Sequence, residues 1–374
     1  MTETATKKSN RIISLDALRG FTIAAMVIVN DPGSWKHVYG PLKHAEWNGC
    51  TITDLIFPFF LFIVGVSIAL AYTKRLDAGV TAKSLYRKII IRSVNIYLLG
   101  IFLWLWPDFD FSVIRWVGVL HRIAVVFLVS ALLFLHTNWK QQVKIGAAIL
   151  VLYWIIVAYI PVPGIGKPDL SVPEMNWANY LDNLILPGFM WQKTWDPEGI
   201  LSTFPAIVSG IIGMLIGKLY LTVKDENRRL VWLYFAGFAM FLAGGLWNWV
   251  FPINKHLWTS SYVLYTAGLG TLGFASSILV IDMWGYKKWT FLGRVYGANA
   301  ITSYVLAGML TVVFYGANDW VKIGGSTLNE LFMNGMTGLG FDPKFGSMLY
   351  AVIYMLIIFI PALILYRKKI FIKV

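Results

Sequence analysis

One amide, one histidine and one carboxylate gather at the same end of two apolar stretches. Asn30 closes the run Leu15 to Val29, Asp54 opens the run Leu55 to Ala71, and His44 lies between them in the segment KHAEWNG. An imidazole with an amide and a carboxylate in reach can work as a general base with orienting partners, or as a nucleophile. A plainer use exists for each. Lone histidines are mostly structural, Asn suits a helix C-terminus, and Asp suits an N-terminus. Trp47, three residues past His44, could hold the loop against the rest of the chain, whereas His37 and His256 have no such setting. Two further sites carry charge inside apolar sequence. Asp16 and Arg19, spaced i, i+3, share a helix face and can pair. For a helix starting near Val113, Arg122 lies about 13 Å in by helical rise. A guanidinium at that depth needs a carboxylate, a cluster of carbonyls, or an anionic ligand in a wet cavity.

The elements that must position these residues are long and apolar. Of 374 residues, 57% are hydrophobic and 14% charged, and the mean hydropathy is +0.65. That balance excludes an ordinary soluble domain and predicts an all-α integral membrane protein. About ten spans can be drawn, at 13–30, 53–73, 89–106, 113–135, 143–160, 200–221, 230–250, 260–281, 295–315 and 347–366. With the N-terminus inside, twenty-two Lys and Arg fall on inner segments. Seven fall outside: Lys36, Lys43, Lys167, Lys193, Lys255, Lys322 and Lys344. Both termini are therefore expected on the cytoplasmic side and His44 on the other. Trp104, Trp106, Trp154, Trp191 and Trp247 sit at span edges, where indoles favour the interface.

One integral-membrane domain, 1–374, is the economical division. It has a short cytoplasmic tail, 1–11, and outside loops at 31–52, 161–199 and 316–346. The Pro, Gly, Asn and Trp of the 161–199 loop predict turns and short interfacial pieces, and NELFMNGM near its later counterpart predicts a short amphipathic helix. No cleavable signal sequence is expected. The net charge of +13 is spread over helix ends, so membrane topology accounts for it better than nucleic acid does. One cysteine rules out an intramolecular disulfide. HExxH, CxxC, P-loop and GxSxG patterns are absent, and none of the five histidines pairs with another on a helix face, so no metal site is expected.

Several segments, in order, resemble the heparan-alpha-glucosaminide N-acetyltransferase family of the transmembrane acyltransferase superfamily, here as a bacterial relative. They are SLDALRG at 14–20, VN at 29–30, KHAEWNG at 43–49, TDLIFPFFLFIVG at 53–65, GVLHRI at 118–123, DPEGILST at 196–203, PINKHLWTSSYV at 252–263 and GANAI at 297–301. The resemblance implies transfer of an acetyl group from cytoplasmic acetyl-CoA to an amino sugar, or a glycan ending in glucosamine, across a bacterial inner membrane. It puts the catalytic histidine at His44 and its partner at Asn30; Asp54 completes the expected catalytic group. Two departures from the animal enzyme are the expected lack of its luminal domain and a longer Asn30-to-His44 loop. CoA is a polyanion that wants guanidinium groups, so Arg19, Arg122 and Arg294, with Asp16 and Asn299, are the candidate donor-binding residues. Trp47, Asn48, Glu198, Lys255 and Trp258 are the candidate sugar contacts. A homodimer stays open. An amino-sugar permease is the competing class: many spans and aromatic outer loops suit it, whereas no internal repeat or matched pair of interrupted helices supports it.

Overall fold

The computed structural model describes residues 12–316 and 320–372; the expected tail 1–11 and a short part of the 316–346 loop lie outside them. The described residues form helices joined by loops, without a β-sheet. The helices are α1 (Ile13–Asn30), α2 (Ile52–Asp77), α3 (Ala82–Leu105), α4 (Val119–His136), α5 (Trp139–Tyr159), α6 (Trp177–Ile185), α7 (Ile200–Thr222), α8 (Glu226–Trp247), α9 (Ser260–Ser277, carried on by a π-helical segment Ile278–Met283), α10 (Phe291–Ala298), α11 (Ala300–Phe314), α12 (Leu328–Gly338) and α13 (Pro343–Arg367). Among them nine are long and apolar enough to cross a membrane, and α10 and α11 pass the same test only together, as one bent span or a re-entrant pair. The protein is a multi-pass helical membrane protein.

Helix burial separates a centre from a rim. In α2 and α7, 67% and 72% of the spanning window is buried, against 22% in α8, whose Val231, Phe235, Phe238 and Leu242 face outward. Small residues let the central backbones touch, as expected where lipid gives no hydrophobic drive for helices to associate. A Cβ on Gly65 would sit 2.0 Å from the Gly210 carbonyl oxygen, and one on Gly213 would sit 2.1 Å from that of Phe62. The α1 to α10 crossing is equally close: a Cβ on Gly20 would overlap the Gly293 carbonyl, and one on Gly297 that of Asp16. Gly65→Ala is therefore expected to push α2 off α7 and to cost about 1–3 kcal/mol of stability. Thermal unfolding in detergent checks this. Gly245→Ala, where a Cβ meets nothing within 4 Å, is the control, and equal melting of the two variants would contradict the packing described.

Several helices begin a few residues from their sequence-based limits, the third at Ala82 and not 89, and two of the differences move candidate residues. The fourth does not begin near 113. After a 3-10 turn at Phe111–Val113, residues 114–117 are non-helical, where Arg115 bridges to Gly188 and is held by acidic side chains of the 161–199 loop, so α4 starts at Val119 and Arg122 lies in its first turn, not deep within it. The span drawn at 295–315 is not continuous. It breaks at Asn299 with a 75° bend, because Asn299 leaves helical geometry and its amide receives the C-terminal segment, donating to the Ile370 carbonyl (3.0 Å) and accepting from the Ile372 N–H (2.9 Å). The 161–199 and 316–346 loops contain the short helices α6 and α12.

Candidate active site

His44 stands at the end of a loop pinned from several directions. The Gly49 N–H donates to the Ile253 carbonyl (2.7 Å) and the Trp47 indole to that of Leu170 (2.8 Å). Trp47 stacks on His256 with ring centroids 5.4 Å apart, and Trp195 meets it edge-on at 5.3 Å. Burial pushes the His256 pKa down to about 4, so this ring packs as a neutral imidazole.

The Asp54 carboxylate does both things that its position allowed. Oδ2 accepts from the Ala45 N–H (2.9 Å), the Thr51 N–H (3.0 Å) and the Thr51 hydroxyl (3.1 Å), capping α2 and closing the loop onto it. Oδ1 faces His44 Nδ1 at 2.6 Å. The carboxylate is 1% exposed and the His44 side chain 39%, so a buried anion holds an imidazole that is open to solvent. With Nδ1–H donating to Asp54, Nε2 keeps its lone pair. Lys255 Nζ lies 3.0 Å from His44 Nδ1, 3.4 Å from Nε2 and 3.6 Å from Asp54 Oδ1. Burial pushes the Lys255 pKa down while the Asp54 and Glu198 carboxylates pull it back up. Asn48 joins the same wall, accepting from Asn254 at 3.1 Å.

A second cluster flanks the first. Arg115 donates to both Asp196 oxygens (2.8 and 2.6 Å) and to Glu198 (2.7 Å), and its guanidinium lies over the Trp191 ring at 5.2 Å. Asp182 fixes the start of α7 by accepting from Ile200 N (2.9 Å); burial raises its pKa to about 6. Glu198 thus joins the two clusters, bonded to Arg115 and acting electrostatically on Lys255. Arg122 is 2% exposed, donates to the Gly199 carbonyl (3.2 Å) and the Ser202 hydroxyl, and lies over Trp258 at 5.0 Å. Its Nε and Nη1 have no hydrogen-bond partner among the described residues. Trp258, expected at the sugar, is 1% exposed and donates to Ser209.

Asn30 is not brought to His44 by a hydrogen bond. It lines a cavity of about 270 Å³ between α1, α3, α4 and α11, together with Asp31, Arg115, His121 and Tyr304. At the other end of α1, Arg19 binds Asp16 (3.1 Å), the Ser67 hydroxyl (2.9 Å) and the Gly297 carbonyl (3.2 Å). Arg294 lies on α10 nearby with a buried Nε that has no hydrogen-bond partner. The Asn299 amide is taken up by the C-terminal segment described above.

Sequence reading passed over Arg115, Asp196, Asp182 and His121. Arg115 falls inside the span drawn at 113–135 and is not singled out there, and its partners lie 81 and 83 residues away. The acidic pair of DPEGILST was the available signal. Among the described residues, no group of three His, Cys, Asp or Glu side chains is placed to hold a metal ion.

With this geometry in place, comparison with known proteins gives one consistent result. The family model described as "Heparan-alpha-glucosaminide N-acetyltransferase, catalytic" matches residues 11–245. The chain is 30% identical over 424 residues to human heparan-alpha-glucosaminide N-acetyltransferase, covering 97% of this chain and 60% of that protein. It is 29% identical over 365 residues to the mouse protein of that name, covering 81% of this chain and 54% of that protein. The chain thus spans little more than half the length of these curated relatives.

Proposed function

Since this chain belongs to the heparan-alpha-glucosaminide N-acetyltransferase catalytic family, we propose that it moves an acetyl group from acetyl-CoA to the amine of a glucosamine-type sugar at His44. The observation that carries this reading is the contact of His44 Nδ1 with the buried Asp54 carboxylate at 2.6 Å, in an imidazole whose side chain is 39% exposed. Nε2 takes a proton from the sugar's ammonium group, which is otherwise no nucleophile. The freed amine attacks the thioester carbonyl, the C–N bond forms, the C–S bond breaks, and the departing thiolate of CoA takes up a proton. In a two-step variant, Nε2 itself attacks the thioester carbonyl, the C–S bond breaks and CoA thiolate leaves; the unprotonated amine then attacks the acetyl-imidazole, its C–N bond forming as the Nε2–C bond breaks. Lys255 stabilises negative charge beside the reacting centre. Asn30 aligns the substrate from the cavity mouth.

Orphaned guanidinium N–H groups of Arg122 and Arg294 suit a donor rich in phosphate and amide oxygens. The charge bias of the loops supports an orientation with both termini cytoplasmic and His44 outside, in a bacterial inner membrane. The test uses purified protein in detergent. Acetyl-CoA is expected to raise the melting temperature by mass action, and label from acetyl-CoA is expected to appear in N-acetylglucosamine when glucosamine is supplied. Glucosamine uptake into vesicles without acetylation would instead identify a permease and overturn the proposal.

A further inference from the structure

The cavity between α1, α3, α4 and α11 contains polar groups that nothing among the described residues satisfies. His121 is 5% exposed, and among the described residues neither ring nitrogen has a hydrogen-bond partner. A neutral imidazole carries one donor and one acceptor, and leaving both unmade in a buried site is costly. The wall is shaped around this ring: a Cβ on Gly100 would lie 2.8 Å from its Cε1 and one on Gly118 would lie 3.2 Å from its Nδ1, while Tyr97 meets it edge-on at 4.4 Å. Asp31 is 7% exposed, and among the described residues its carboxyl has neither a hydrogen bond nor an ion pair. Burial pushes its pKa up to about 8, so a cation entering beside it gains a carboxylate partner by ionising it. The Asn30 amide stands next to it at the mouth.

What such a cavity can take follows from its charges. The single cation in the wall, Arg115, is already neutralised by Asp196 and Glu198, which leaves nothing to balance a phosphate. A carboxyl, an amide, an imidazole and the Tyr304 phenol remain, a set that matches hydroxyl groups and one amine. About 270 Å³ is small for a drug-sized ligand and suits a single ring. Resting on the acetyltransferase reading and extending it, we propose that this cavity is the acceptor subsite, holding one hydroxylated ring with Asp31 at its amine and His121 at its hydroxyls. His121 is a ligand-contacting residue here and takes no part in bond making.

The experiment compares the full chain with His121→Leu, His121→Gln and Asp31→Asn. Glucosamine and cyclohexylamine, which lacks hydroxyls, serve as acceptors, and acetyl-CoA binding is followed separately by thermal shift. His121→Leu is expected to raise KM for glucosamine by about tenfold or more, the size of an unmade buried hydrogen bond. It should leave KM for cyclohexylamine and the acetyl-CoA shift unchanged. Gln, which keeps a donor and an acceptor, should recover much of the loss, and Asp31→Asn should raise KM for both amines. Unchanged glucosamine KM in both His121 variants overturns the proposal. So does a loss that falls on acetyl-CoA affinity, because the cavity then houses the donor's arm. If His121→Leu does not fold, the Gln and Asn variants decide on the same criteria. A wild-type protein that transfers no acetyl group strikes the acetyltransferase reading; glucosamine stabilisation present in wild type and absent in His121→Leu would still uphold the subsite, and its absence from wild type would overturn that too.

Discussion

Replacing His44 by alanine is expected to lower kcat for acetyl transfer to glucosamine by about 10²- to 10⁴-fold, the usual worth of a positioned general base. The loop that carries His44 lies on the surface and is held by Trp47, Gly49 and Asp54 through contacts that do not use the imidazole. Folding and acetyl-CoA stabilisation should therefore survive, and the loss should fall on kcat with little change in the acetyl-CoA thermal shift. His37→Ala is the matching control. His37 bonds only to Ser34 in its own exposed loop, and its variant should be close to normal. Rapid quench with labelled acetyl-CoA and no acceptor separates the two chemistries: label on His44 supports the two-step route, and a clean protein supports direct transfer. A His44→Ala protein with wild-type kcat would remove the imidazole from the reaction.

Asp54→Asn is expected to come close to this loss, although it changes one atom. Three donors, Ala45 N–H, Thr51 N–H and the Thr51 hydroxyl, converge on Oδ2, so an asparagine there must turn its carbonyl oxygen toward them. Its NH₂ then faces His44 Nδ1, which has to accept instead of donate, and the proton moves to Nε2. The base is lost without being deleted. Lys255 loses its carboxylate at the same time. A drop of about 10²- to 10⁴-fold in kcat, with the melting temperature nearly kept because the cap of α2 is intact, is the expected outcome. Nitrogen NMR of His44 should show Nδ1 protonated in wild type and Nε2 protonated in the variant. Activity within threefold of wild type would mean that Asp54 only caps the helix.

The helical hairpin, KHAEWNG and the carboxylate at Asp54 were legible in the sequence because each is a local pattern: an apolar run of spanning length, a polar loop, an acid at a helix start. The pairing of Asp16 with Arg19 was legible for the same reason. The α4 start was not. Val113, Ile114, Trp116 and Val117 continue the hydropathy of the span, and it is distant partners of Arg115, namely Asp196, Glu198 and the Gly188 backbone, that hold 114–117 out of the helix. Nor could composition show the break at Asn299, since GANAI sits inside an apolar stretch and its amide is claimed by backbone some 70 residues later. The two readings of Asp54, cap or orienter, could not be separated by sequence because its two oxygens serve different partners.

The central claim, that an acetyl group crosses from acetyl-CoA on one face to an amino sugar on the other through His44, is tested most directly in sealed proteoliposomes. Labelled acetyl-CoA is added to the face bearing the chain termini, glucosamine is confined to the opposite face, and neither crosses protein-free membrane. Labelled N-acetylglucosamine on the glucosamine side, abolished in His44→Ala, is the predicted result. Labelled product formed only when both substrates share one face, or product of equal yield from the His44→Ala protein, would contradict it.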